Sequence, residues 1–163
     1  MILDNFLLLS GSVSATGVLT GQAVNGAGSF LSTNTIDVAP LTIGGNQPGE
    51  VGAGEELKVE FSVLTAPTVG TSVQFQLIQA DDAALSVNVQ VLRMTDAFPI
   101  ANLAAGSIIP LVWAASEPYT PKRYVGARYV NTGVIATFSV VAAVVKDTQS
   151  IKNLYFKSGF AVS

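Results

Sequence analysis

Along most of this chain apolar and polar residues alternate, and the 3.6-residue spacing of a long helix is hard to find. Residues 55–64 (EELKVEFSVL) put Leu57, Val59, Phe61 and Val63 on one side and Glu56, Lys58, Glu60 and Ser62 on the other. That pattern predicts a half-buried strand with a solvated outer face. In 71–92 (TSVQFQLIQADDAALSVNVQVL), Val73, Phe75 and Leu77 form the inner face of the next strand. A turn at Ala80–Asp81–Asp82–Ala83 then leads to a partner strand with Leu85, Val87, Val89 and Val91 inward. Residues 122–130 (KRYVGARYV) and 134–145 flank Asn131–Thr132–Gly133, a three-residue loop that suits a hairpin. The second arm is apolar on both faces, so it belongs in the middle of a sheet covered on both sides. Gly126 lies inside the first arm, where glycine marks a bulge or a close backbone approach. Without a bulge, Arg123 and Arg128 point to opposite faces; with one they share a face.

Shorter strands are expected at residues 6–9, 35–38 and 108–113, separated by Gly- and Ser-rich stretches at 10–29 and 44–54. About eight short antiparallel strands between turn signals define an all-β sandwich or barrel. The 163 residues fit one domain, 1–163, with 146–163 (KDTQSIKNLYFKSGFAVS) read as a terminal strand or arm.

Composition narrows the chemistry. There is no cysteine and no histidine, which removes disulfides, thiolate sites, the commonest metal ligand and the usual general base near neutral pH. Eleven acidic against eight basic residues, a formal charge of −3, argue against a nucleic-acid partner. Only 12% of residues are charged, about half the usual ~25%, while 49% are apolar. No cofactor is implied.

Residues 97–116 form a twenty-residue uncharged run near the length of a membrane span, but Pro99, Asn102, Gly106 and Pro110 interrupt it. Residues 133–145 are too few and too β-branched. The opening MILDNFLLLSG has a short apolar tract and no basic residue, unlike a secretory signal. The chain is therefore expected to be soluble, without membrane association.

Two acidic pairs, Asp81–Asp82 and Glu55–Glu56, are candidates for carboxylate chemistry. The first sits where a turn wants Asp and the second opens a strand, so turn and strand-edge roles are preferred. No Ser-x-x-Lys arrangement is evident, and the GAGSF and GEVGAGE stretches lack the following helix of a phosphate loop. Trp113, Tyr119, Tyr124 and Tyr129 could form a sugar-binding platform, although packing of these rings in the core is the simpler expectation. What remains is the outward face of 71–92, made of Ser, Gln and Asn with no charge. Interfaces are depleted of Lys, Glu and Asp, so a large contact footprint would leave this composition.

MILDNFLLLSGSVSATGVLTGQAV, LSTNTIDV, GTSVQFQLIQADDAAL and KRYVGARYV, in that order from Met1 to about Val145, resemble the cement proteins of tailed bacteriophages of the Bordetella-phage type. The resemblance implies a jelly-roll sandwich without enzymatic activity, made in the bacterial cytoplasm. Such proteins decorate the outer surface of the virion capsid as dimers and bridge major capsid subunits. Arg123, Tyr124, Arg128 and Tyr129 are the candidate contact cluster, because Tyr and Arg dominate binding hot spots. Alternatively these four tie one sheet to the other. The competing functional reading is a carbohydrate-binding or adhesive β-sandwich, with a carboxylate hydrolase third.

Overall fold

The computed structural model describes residues 7–38, 56–113 and 120–146. Among the described residues thirteen strands follow one another: β1 (Leu8–Ser10), β2 (Ser12–Val13), β3 (Leu19–Thr20), β4 (Gln22–Ala23), β5 (Gly26–Leu31), β6 (Ile36–Asp37) and β7 (Leu57–Thr68). Then come β8 (Ser72–Ala80), β9 (Gln90–Met94), β10 (Phe98–Pro99), β11 (Ile108–Trp113), β12 (Tyr124–Ile135) and β13 (Thr137–Val145). A single helical turn occurs at Ile100–Asn102.

The strands form two antiparallel sheets. One runs β1-β13-β7-β11 with β4 also on β13, and the other runs β10-β8-β12-β5 with β9 on β8 and β6 on β12. Treat β9 and β10 as one position and take β1, β5, β7, β8, β9/β10, β11, β12 and β13 as eight. The sheets then read first-eighth-third-sixth and second-seventh-fourth-fifth, the strand order of a jelly-roll sandwich.

Period-2 alternation explains the core. Val59, Phe61 and Val63 of β7 and Val140, Ala142 and Val144 of β13 face Val73, Phe75 and Leu77 of β8 and Val125, Ala127 and Tyr129 of β12, in one buried cluster. Phe75 lies at its centre, with ring centroids 5.2 Å from Phe61, 6.0 Å from Tyr129, 6.2 Å from Phe98 and 6.3 Å from Phe138. Each such buried ring contributes about 1.5–3 kcal/mol of burial free energy. The other face of β13, Val141, Ala143 and Val145, packs with Leu8, Val13 and Leu19, so the β2–β3 hairpin covers the outside of the first sheet. The doubly apolar strand is thus a central one, as its sequence predicts.

Four expectations change. β12 and β13 do not form a hairpin: β12 pairs with β5, β6 and β8, whereas β13 pairs with β1, β4 and β7. Asn131, Thr132 and Gly133 remain within β12, and the chain crosses between sheets at Ala136. The turn after β8 is a loop over 81–89, and only 90–94 return as β9, so Leu85 and Val87 are not strand residues. The Gly- and Ser-rich stretch 10–29 is largely strand, holding β2–β4 and the start of β5. Finally, Glu60 is only 5% exposed, because β7 is an interior strand with Ala143 and Pro110 in register on either side. Its carboxylate accepts a bond from the Ser62 hydroxyl at 3.1 Å. Glu55, Tyr119, the stretch 44–54 and the tail 147–163 lie outside the described residues.

Candidate contact surface

The four residues nominated from sequence do not form one patch. β12 runs alongside β8 in unbroken register from Tyr124 to Thr132, so Gly126 makes no bulge there. Tyr129 therefore points into the core, is 0% exposed, and donates its hydroxyl hydrogen to Ser10 Oγ at 2.7 Å. A ring with no exposed area cannot be a surface contact; Tyr129 instead ties the second sheet to β1 of the first. Burial raises its phenol pKa well above the ordinary 10.0. Arg123 precedes β12 and grips Asp37, with Nε at 3.0 Å from Oδ1 and an NH2 nitrogen at 2.8 Å from Oδ2. Its guanidinium also sits 5.0 Å from the centre of the half-buried Tyr124 ring. Hydrogen bonding to Asp37 raises the Arg123 pKa. Trp113 is 7% exposed and belongs to the core.

Arg128 is the nominated residue that lands on the uncharged face. It stands in register with Gln76 on one side and Leu31 on the other, and Gln76 in turn with Met94. Arg128 Nε donates to Gln76 Oε1 at 2.6 Å, Gln76 Nε2 to Gln74 Oε1 at 2.7 Å, and Gln74 Nε2 to the Thr95 carbonyl at 2.9 Å. The outward amides of the SVQFQL strand are thus locked in a ladder. Charged side chains could not have been lined up this way without repulsion between like neighbours.

The loop 81–89 closes the other half of this face. Leu85 is 2% exposed and clusters with Ile78 and Ala80, and its Cδ1 would meet any Cβ at Gly126. Gly126 is therefore a close approach. Asp82 shapes the loop by accepting from the Ser86 and Val87 amides at 2.8 and 2.7 Å and from the Ser86 hydroxyl at 2.7 Å. Asp81 accepts from Asn88 and from Lys122 Nζ, at 2.7 and 2.8 Å. These bonds hold both carboxyls below their ordinary pKa: Lys122 and Asn88 do so at Asp81, the Val87 amide and Ser86 hydroxyl at Asp82. The pair is loop-forming, as turn chemistry predicts.

Sequence reading missed the end of the sandwich where the chain crosses between sheets. The β7–β8 and β12–β13 corners are bonded together by Ala136 N to Thr68 O and Thr71 N to Thr132 O, each 2.8 Å. Hydroxyls extend the tie, with Thr68 and Thr137 oxygens 2.7 Å apart and Ser139 Oγ donating to Thr65 Oγ1 at 2.8 Å. Val69 and Val134 project from these corners, 68% and 65% exposed. Elsewhere, between β10 and β11, an open cleft of about 510 Å³ is lined by Phe98, Leu103 and Ile109 with Thr95, Asn102 and Ser107, and no ionisable group lines it. Among the described residues no cluster of three potential metal ligands occurs, and no helix is long and apolar enough to cross a membrane.

The fold is a small antiparallel β-sandwich whose second sheet carries a hydrogen-bonded ladder of neutral amides, with Gln76 at its centre only 6% exposed. A family model described as Bbp16 matches residues 18–145, most of the chain and nearly all of both sheets. The chain belongs to the Bbp16 family, whose name points to a Bordetella phage protein. No curated protein matches it.

Proposed function

We propose that the chain is a non-enzymatic capsid cement protein. It binds the outer surface of a phage head as a homodimer and bridges neighbouring major capsid subunits. The observation that carries this reading is the family match over 18–145. The composition supports it, since interfaces are depleted of Lys, Glu and Asp and only 12% of this chain is charged.

The mechanism is mass action. A ligand that binds the assembled shell and not its dissociated subunits stabilises the shell. A dimer that reaches two adjacent subunits makes the second contact intramolecular, so weak single contacts give firm attachment. Of the four rings that the carbohydrate-binding alternative calls on, Trp113 and Tyr129 are buried, Tyr124 is half-buried beside Arg123 and Tyr119 lies outside the described residues.

Cosedimentation of the purified chain with undecorated shells of its phage tests the proposal, with sedimentation velocity for the oligomer. Saturable binding at a fixed ratio to the major capsid protein is expected. A folded, monodisperse chain that stays in the supernatant while the shells pellet would overturn it.

A further inference from the structure

The outer face of the second sheet carries a cation and an anion that the fold leaves unmatched. Arg128 stands on β12 between Leu31 of β5 and Gln76 of β8, and Met94 of β9 completes the row. Arg128 is half-buried and donates through Nε alone, to Gln76 Oε1 at 2.6 Å. Gln76 is fixed in turn by Gln74 at 2.7 Å, so the guanidinium is held in place with both of its NH2 groups still to be used.

Asp96 is the anion. Pairing with β8 continues one residue past β9, through Thr95 N to Phe75 O at 2.9 Å, so the two-residue alternation carries Asp96 to the side of Met94. Asp96 is exposed, and among the described residues its carboxylate accepts no hydrogen bond. Neither Asp96 nor Arg128 belongs to an ion pair among these residues. β8 lies between them, about 10 Å of sheet across, and they do not meet within one copy. Beside them Met94 is 61% and Leu31 37% exposed, apolar area on the same face.

We infer that two copies of the chain meet face to face on this sheet, each Arg128 guanidinium forking onto the partner's Asp96. The inference rests on the homodimer of the cement reading and adds the face and the register. Charge complementarity chooses the occupant. In a twofold contact, residue i on j is matched by j on i, so one symmetry operation satisfies both cations and both anions. A second copy brings both groups at the required spacing. With Nε committed to Gln76, the two NH2 groups suit the bidentate grip that arginine makes on a carboxylate. A side chain already ordered by the ladder loses little freedom on binding. The ion pairs set the register more than the affinity, which comes from covering Leu31 and the adaptable Met94. Once covered, such pairs are screened little by salt.

The test is sedimentation velocity over a concentration series for the wild type, Asp96→Arg, Arg128→Glu and an equimolar mixture of the two variants. Circular dichroism checks the fold of each, and cosedimentation with undecorated shells is run alongside. The wild type should dimerise. Each variant alone sets like charges face to face, so its dimer should weaken roughly tenfold or more. The mixture should dimerise again, because Arg128 of one variant then faces Asp96 of the other, and the introduced arginine faces the introduced glutamate. Asp96→Arg alters an exposed side chain without a bond, so that arm decides even if Arg128→Glu fails to fold. If a folded variant dimerises as tightly as the wild type, or a mixture of folded variants does not recover, the face is wrong while shell binding keeps the cement reading. A wild type that binds shells as a monomer overturns the inference and the homodimer but not the cement role. A wild type that neither dimerises nor binds shells removes both.

Discussion

At Tyr129 one hydrogen bond spans the sandwich, and its value is measurable. Tyr129→Phe keeps the ring contacts with Phe61 and Phe75 but leaves the fully buried Ser10 hydroxyl without its donor. The expected loss is about 1–2 kcal/mol, read as a melting temperature lower by roughly 2–4 °C per kcal/mol. The pH dependence has a definite sign. Burial raises the folded-state phenol pKa above 10.0, so this stabilisation is present below the ordinary value and is lost as pH rises beyond it. The phenylalanine variant should lack that part of the alkaline loss, and an unchanged alkaline limb would remove Tyr129 as its source. The role of this tyrosine was legible by parity: Tyr124 and Tyr129 stand five apart, so an unbroken strand sends them to opposite faces. What hid it was Gly126, which reads equally as a bulge or as a close approach, and only the packed Leu85 decides between them.

The element that carries the clearest switch is the loop 81–89. Leu85 and Asn88 sit at φ 54° and 50°, and the Asp81 and Asp82 carboxylates hold them there. Both carboxyls have folded pKa values below 3.8. Their contribution is therefore intact above that value and is lost as pH falls through the lower folded one. Hydrogen exchange should show the Ser86 and Val87 amides protected at pH 5 and above, and opening selectively in strong acid before the β8–β12 ladder does. Opening of loop and ladder together would show that Asp82 does not hold the loop. Alternation over Leu85, Val87 and Val89 imitated a strand because the side-chain oxygens of Asp82 satisfy the amides that a strand partner would otherwise take. The β12–β13 crossing was misread for a similar reason. Asn–Thr–Gly suits a hairpin, and local turn chemistry does not say whether the next strand pairs with the last one or with the opposite sheet. By contrast β7, β8, β11 and β13 were legible, because burial of one face or both is written directly in their period.

Across the whole molecule, only 12% of the residues are charged, which makes ionic strength a probe of the proposed shell contact. Contacts between charged groups weaken as the screening length falls from about 10 Å at 0.1 M salt to about 3 Å at 1 M. An uncharged contact has no such dependence, and sulfate, which strengthens effective apolar burial, should tighten it. Shell affinity of the wild type should thus stay within about twofold as sodium chloride rises from about 0.1 to 1 M and should increase in sulfate at equal ionic strength. Charge-steered encounter, with its fast low-salt association, should also be missing. A steep fall with chloride would instead place charged side chains such as Arg123, Lys122 or Arg128 in the contact.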